Sequence, residues 1–148
     1  MKMTIEGVRL PVRKTKGSCG YDIHAPCDMS LTVFPKKYDL GILMEKGDIP
    51  EGHYAQILPR SSTGNDGTVL ANTCGVIDSD YTMDTIKAKL YMSINNALNE
   101  DGTIDVTKTL DFKKNDRILQ MIVVPFDTIP SEEVPTEERK GGHGSTGA

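Results

Sequence analysis

The chain has 148 residues, a formal charge of −4 and 37% apolar side chains, figures that suit one globular domain with its own core. A pI near 5.3 argues against a general nucleic-acid binder, which carries an overall basic excess. No apolar run approaches the roughly 20 residues needed to cross a bilayer; the longest, residues 121–126, contains a proline.

The first residues, Met1-Lys2-Met3-Thr4-Ile5-Glu6, lack an apolar signal core. The expectation is a cytoplasmic protein, or one of the host cytoplasm or nucleus if the chain is viral. Cys19, Cys27 and Cys74 are odd in number and form no CxxC pair. They read as reduced thiols packed as small hydrophobes, not as a disulfide framework or a four-ligand zinc site.

Gly17-Ser18-Cys19-Gly20-Tyr21-Asp22-Ile23 opens the first clear alternation, Tyr21-Ile23-Ala25, and a second follows at Leu31-Val33. Tyr38, Leu40, Ile42 and Met44 then alternate with Asp39, Gly41, Leu43 and Glu45. Further on, Ile86, Ala88, Leu90, Met92 and Ile94 alternate with Lys87, Lys89, Tyr91, Ser93 and Asn95. Ile104-Val106 leads on to Leu110-Phe112. A period of two places apolar side chains on one face of a half-buried strand. Lys46-Gly47-Asp48, Asn65-Asp66-Gly67 and Asp101-Gly102 are turn punctuation between these runs. No window of a dozen residues sustains a 3.6 period, so the expected class is all-β, a barrel or sandwich of short strands.

Three segments inside this pattern carry chemistry. Pro59-Arg60-Ser61-Ser62-Thr63-Gly64 reads as a turn that packs a guanidinium, three hydroxyls and a glycine, a composition suited to a polyanion such as a triphosphate. In Gly75-Val76-Ile77-Asp78-Ser79-Asp80-Tyr81, Asp78 ends an apolar pair. A carboxylate at the mouth of a buried strand is partly desolvated yet reaches water, as a general base must; a plain β-turn is the alternative. Asp116-Arg117-Ile118-Leu119-Gln120-Met121-Ile122-Val123-Val124 buries a glutamine, which either stitches the core or addresses a ligand, while Asp116-Arg117 reads as an ion pair. From residue 128 the composition turns to Pro, Glu and Gly, ending in Gly141-Gly142-His143-Gly144-Ser145-Thr146-Gly147-Ala148. With little to bury, residues 128–148 read as a mobile arm beside a 1–127 domain, and the glycines and hydroxyls near Arg139 and Lys140 suit a phosphate-wrapping loop.

In order, Gly-x-Asp-Ile, Pro-Arg-Ser-Ser, Gly-Val-Ile-Asp-x-Asp-Tyr, Asp-Arg-Ile-x-Gln and the C-terminal Gly-Gly-x-Gly-Ser-Thr-Gly resemble the five motifs of the trimeric dUTPase family, over residues 17–147. The resemblance implies a distorted, jelly-roll-like β-barrel (the β-clip dUTPase fold) and a homotrimer with shared active sites closed by flexible C-terminal arms. It also implies hydrolysis of dUTP to dUMP and pyrophosphate, keeping uracil out of DNA and supplying dUMP for thymidylate synthesis. Asp78 matches the residue that activates the attacking water and meets the sugar 3′-OH, and Tyr81 the ring against the deoxyribose. Asn72 and the backbone of Gly75, Val76, Ile77 and Asp78 match the uracil-reading hairpin, with Ile86 among the substrate contacts. Arg60, Ser61, Ser62, Gly64 and Gln120 match the phosphate side, and Arg139, His143, Gly144, Ser145 and Thr146 match the closing arm. Mg²⁺ is then held by substrate phosphates and water, with Asp22 in outer-sphere contact; neither nucleic acid nor membrane is a partner.

The pattern is departed from in three places: Met83 stands where the third motif has glycine, His143 where the fifth has phenylalanine, and Arg139 lies four residues before His143 instead of five. If position 83 requires positive φ, methionine is strained there. The pocket departures keep open a non-catalytic, dUTP-sensing interaction protein on the same scaffold. A dCTP deaminase-like enzyme would use a glutamate on the strand after the Ile-Asp turn, and residues 85–95 contain no acid.

Overall fold

A computed structural model describes residues 1–136 and Arg139. Ten strands follow in order: β1 Lys2–Met3, β2 Tyr21–His24, β3 Met29–Leu31, β4 Lys36–Leu43, β5 His53–Pro59, β6 Thr68–Leu70, β7 Gly75–Asp78, β8 Thr85–Met92, β9 Leu110–Phe112 and β10 Arg117–Pro125. One helix, α1 Ser61–Asn65, lies between β5 and β6, and a 3₁₀ turn, Ile94–Ala97, follows β8. The strands form two four-stranded sheets, ordered β1-β4-β8-β6 and β2-β10-β5-β7, and a two-stranded β3-β9 ribbon, with every pairing antiparallel. The alternating apolar faces meet in one core in which Ile23, Leu31, Leu40, Ile42, Ile86, Leu90, Ile118 and Leu119 are almost wholly enclosed. The all-β class is thus observed. No helix among the described residues is long and apolar enough to cross a membrane.

Three local departures from the sequence pattern have identifiable causes. Residues 60–65 close into a helical turn where a non-helical loop is expected, because Thr63 Oγ1 donates to the buried Ile118 carbonyl at 2.8 Å and Gly64 N donates to Arg60 O at 2.8 Å. The β8 alternation stops at Met92 instead of running through Ile94, since the Ser93 side chain accepts from Asn95 N and starts the 3₁₀ turn. Ile104 pairs only in an isolated bridge with Leu98, and the run from Ile104 to Val106 is not a strand.

His24 lies opposite Arg117 in the β2–β10 ladder and is 4% exposed; its Nδ1 has no hydrogen-bond partner among the described residues. Burial holds its pKa below the usual imidazole value, and the positive charges of Arg9 and Arg117 push the same way, against a backbone hydrogen bond at Arg9 and the charge of Asp22. A depressed histidine pKa means that the fold favours the neutral ring. Its contribution is complete above the unfolded value of about 6.5 and is lost as pH falls below it. Urea denaturation between about pH 7 and pH 5 is expected to show falling stability for the parent and a shallower fall for His24→Gln; equal slopes would assign the pH dependence to other groups.

Candidate active site

The residues singled out above gather in two places. At one end of β5, α1 brings Arg60 and Ser61 beside Asp22 of β2 and Gln120 of β10, and together with Lys14, Ser18, Cys19, Gly20 and Arg117 they line a cavity of about 320 Å³. Asp22 organises its cations. Arg60 Nε donates to Asp22 Oδ1 at 2.7 Å and Arg117 Nη1 donates to Asp22 Oδ2 at 3.1 Å. Arg60 Nη1 also reaches Ser62 Oγ at 3.0 Å. The expected Asp116–Arg117 pair is therefore corrected: Arg117 turns to Asp22, and Asp116 Oδ2 instead accepts from Lys113 N at 2.7 Å, closing the turn before β10. Gln120 Nε2 donates to Pro59 O at 3.2 Å, so the glutamine both ties β10 to the turn and fronts the cavity. Gly20 permits this approach, since a Cβ there would lie 2.7 Å from Gln120 Oε1.

The second cluster lies at the other end of β5. Asp78 pairs with Tyr54, and the strand β7 that leads to it runs beside β5 from Gly75, opposite Ile57. The Asp78 side chain is 52% exposed, more open than its position after Val76-Ile77 implies, because Val76 is itself exposed and β7 is the edge strand of its sheet. Arg139 Nη2 donates to Asp78 Oδ2, and Arg139 Nε donates to Asp80 Oδ1 at 2.9 Å. The same guanidinium sits 5.6 Å from the centroid of the Tyr81 ring. Tyr81 is buried, its hydroxyl donates to Thr85 O at 3.2 Å, and burial raises its phenol pKa above the usual value. A cavity of about 680 Å³ opens next to this cluster, between residues 46–51 and 79–83.

Asn72 is exposed in the turn before β7, where its carbonyl accepts from Cys74 N at 2.6 Å. Ile86, expected among the substrate contacts, is 1% exposed in the core, where the β8 alternation turns it inward, so it offers a ligand no surface in this chain. Met83 is exposed and is not among the positive-φ residues, so its position makes no demand for glycine. His143, Gly144, Ser145, Thr146 and Lys140 lie outside the described residues. Lys14, Ser18, Cys19 and Arg117 line the smaller cavity without having been singled out for it; the basic run Arg13-Lys14-Thr15-Lys16 is the one sequence signal that could have drawn them in.

A sequence profile of the dUTPase family matches residues 6–147, covering all of the segments just described. The chain belongs to the dUTPase family. The deoxyuridine 5'-triphosphate nucleotidohydrolase of Anaplasma marginale is 33% identical over 149 residues, covering 95% of this chain and 90% of that one. That of Idiomarina loihiensis is 35% identical over 150 residues, covering 96% and 89%. Among solved structures, the dUTPase of Staphylococcus bacteriophage 80alpha superposes with a TM-score of 0.65 at 22% identity, over 93% of this chain and 96% of that one. The dUTPase of Streptococcus mutans gives a TM-score of 0.58 at 25% identity, over 81% and 88%. The dUTPase fold thus accounts for the barrel, and both residue clusters fall within the family match.

Asp22 with its two guanidiniums is a mostly enclosed charge network at the heart of the smaller cavity. Asp22→Asn removes the shared acceptor charge and leaves two cations facing each other. It is expected to cost about 1–3 kcal/mol, below the range for a fully buried pair because Arg117 is partly exposed. Urea denaturation measures this, and an unchanged midpoint would put the network among exposed ion pairs of negligible weight.

Proposed function

We propose that this dUTPase-family chain hydrolyses dUTP to dUMP and pyrophosphate, with Asp78 orienting and activating the water that attacks the α-phosphorus. The observation that carries this is the cavity that gathers Asp22, Arg60, Ser61 and Gln120 from β2, the β5–α1 turn and β10, three segments far apart in the chain. A guanidinium with adjacent hydroxyls and an amide is what a phosphate group selects, because charge-assisted, bidentate donors outbid water. Attack on a phosphorus then needs a positioned water and preorganised positive charge more than an exotic nucleophile.

The strand ladder bears on where the parts come from. Asp78 stands opposite Tyr54, six residues before Arg60, so about 20 Å of extended chain separates the two stations at the usual rise per residue. Arg60 is also turned onto Asp22. A water and the phosphorus it attacks lie about 3–3.5 Å apart, so one chain's Asp78 and Arg60 do not flank the same phosphate. Two copies meeting end to end would close the gap, and heterologous contacts that close by rotation form rings; this favours a homotrimer with shared sites. On this reading residues 1–127 form the barrel, and the arm from residue 128 carries the glycine-rich fifth motif over the pocket. His143, Gly144, Ser145 and Thr146 lie on that arm.

Within the site, Arg139 holds Asp78 and Asp80 until phosphate oxygens compete for its guanidinium, which frees the Asp78 carboxylate for water. Tyr81, pinned by its bond to Thr85 O, is a rigid wall against the sugar, where a 2′-hydroxyl would collide. The backbone of Gly75, Val76 and Ile77, with Asn72, reads the uracil edge, which differs from cytosine by an exchanged donor and acceptor.

Among the described residues no cluster of three or more His, Cys, Asp or Glu side chains forms a protein cage for a metal, and both Asp22 oxygens are engaged by arginines. That donor set fits Mg²⁺ held by triphosphate oxygens and water, with Asp22 in outer-sphere contact. Bound there, the ion would neutralise part of the triphosphate charge. The dUTPase of phage phi11 of S. aureus, with a TM-score of 0.65 to this chain, is described with a structural Mg(II) ion. Cys19 and Cys27 are exposed instead of packed as small hydrophobes, and a cytoplasmic location agrees with their being free thiols.

Pyrophosphate release from dUTP, dCTP, dTTP and UTP, with and without Mg²⁺, tests the activity and its selectivity together; dUTP is expected to be the preferred substrate. Asp78→Asn is expected to abolish turnover with dUTP binding largely retained, and a residual rate above about a tenth of the parent would remove Asp78 as the base. Co-refolding equal amounts of Asp78→Asn and Arg60→Ala, each inactive alone, is expected to restore about a quarter of parental activity, since one in four adjacent ordered pairs in a ring regains both groups. Absence of any restoration would place both groups in one chain's site.

A further inference from the structure

The segment between β8 and β9, residues 93–109, contains none of the motifs assigned above. It is nonetheless braced internally. Asn99 N donates to Thr103 O at 2.8 Å, Asp105 N to Ala97 O at 2.8 Å and Lys108 Nζ to Leu98 O at 3.0 Å. Ala97 is completely buried beneath it. Among the described residues, its one polar side-chain contact with the site-bearing part of the fold is Asn96, whose Nδ2 donates to Asp66 O at 2.7 Å. Beside it, Ser93 N donates to Gly67 O at 2.7 Å.

Those two carbonyls lie immediately past α1, the turn that carries Ser61 and Ser62 and follows Arg60. A helix of five residues does not hold itself together in water. At its trailing end Asp66 N donates to Ser62 O and Gly67 N to Gly64 O, and the carbonyl of the C-cap residue Asp66 takes a donor from outside the turn. One side of α1 is tied down through Thr63 Oγ1 and the Ile118 carbonyl. The trailing end is tied by Asn96. The fit there is close, because Gly67 has φ +96° and a Cβ on it would lie 2.5 Å from Asn96 Nδ2. Asn96 is itself fixed by the 3₁₀ turn, with its own N donating to Ser93 O at 3.0 Å.

We infer that Asn96 is a positioning residue for the phosphate side of the site: it touches no substrate, and it sets α1 so that Arg60, Ser61 and Ser62 present their donors together. The inference rests on the phosphate role given to that turn under the proposed function. It predicts a selective defect. A loosened α1 weakens capture of the β- and γ-phosphates and leaves the uracil and sugar contacts at the other cluster intact.

The test compares Asn96→Ala and Asn96→Asp with the parent. The aspartate keeps the shape but loses the donor. In both variants KM for dUTP and the inhibition constant of pyrophosphate are expected to rise about three- to tenfold, the range for one lost hydrogen bond. The inhibition constant of dUMP and kcat are expected to stay within about twofold. Unchanged pyrophosphate and dUTP constants in a folded variant would overturn the inference. So would equal weakening of dUMP and pyrophosphate, which would mark a general structural role. Direct calorimetric titration of pyrophosphate into parent and variants keeps the question separate from catalysis. If the parent released no pyrophosphate from dUTP, the functional reading would fail, while the titration would still decide whether Asn96 positions an anion-binding turn.

Discussion

Seven consecutive residue pairs lock β5 against β10, from Leu119 opposite Pro59 to Pro125 opposite His53. No side-chain rotation shortens such a ladder, and a slip by one residue would turn Ala55, Ile57, Leu119 and Met121 out of the core. The ladder is therefore a spacer of fixed length. It carries the arginine-and-serine turn at one end and, through β7, the Asp78 carboxylate near the other. The distribution of chemistry over the molecule follows from that spacing, which holds the two clusters apart at opposite ends of β5.

The two ends also differ in sign. Arg60, Arg117 and Lys14 crowd the smaller cavity around one carboxylate, whereas Asp78 and Asp80 share a single guanidinium at the other end. A chain with a net charge of −4 can bind a polyanion only if positive charge is concentrated locally. Asp22 makes that concentration tolerable. It screens two guanidiniums from each other without filling the cavity they line, and so holds them in place before any phosphate arrives. Arg139 does the converse at the acidic end, where one guanidinium pairs with the carboxylates of Asp78 and Asp80.

Most of the barrel was legible because it obeys one rule, a period of two, and Leu40, Ile42, Ile86, Leu90 and Met92 are buried where the alternation puts them. The rule failed where a single polar atom outweighed the pattern. Ser93 ends β8 by accepting from Asn95 N, and Thr63 holds α1 closed against Ile118 O. Arg117 shows the limit of adjacency: Asp116 closes the local turn on Lys113 N, whereas Arg117 opens β10 and reaches Asp22 across the sheet. Lys14 and Cys19 were not singled out as cavity residues, because a basic run and a lone thiol acquire a place beside Gln120 only in the folded chain. Ile86, expected among the substrate contacts, is buried where its alternation with Lys87 places it.

Exposure bears on the assembled site proposed above. Asp78 is half open to water in one chain, and a charge in water interacts weakly with another at a given distance, whereas the same pair in a dry cleft interacts several-fold more strongly. The positive end has the opposite deficiency, since its charges are held by Asp22 around an open cavity of about 320 Å³. Pressing one copy's Asp78 edge onto the next copy's cavity would correct both at once. It would bring acid and cations to a common distance from the phosphorus and remove the water that screens them. The folding of each barrel then need not strain to build the site. Assembly would supply the desolvation that a half-exposed carboxylate and an open basic cavity each lack alone.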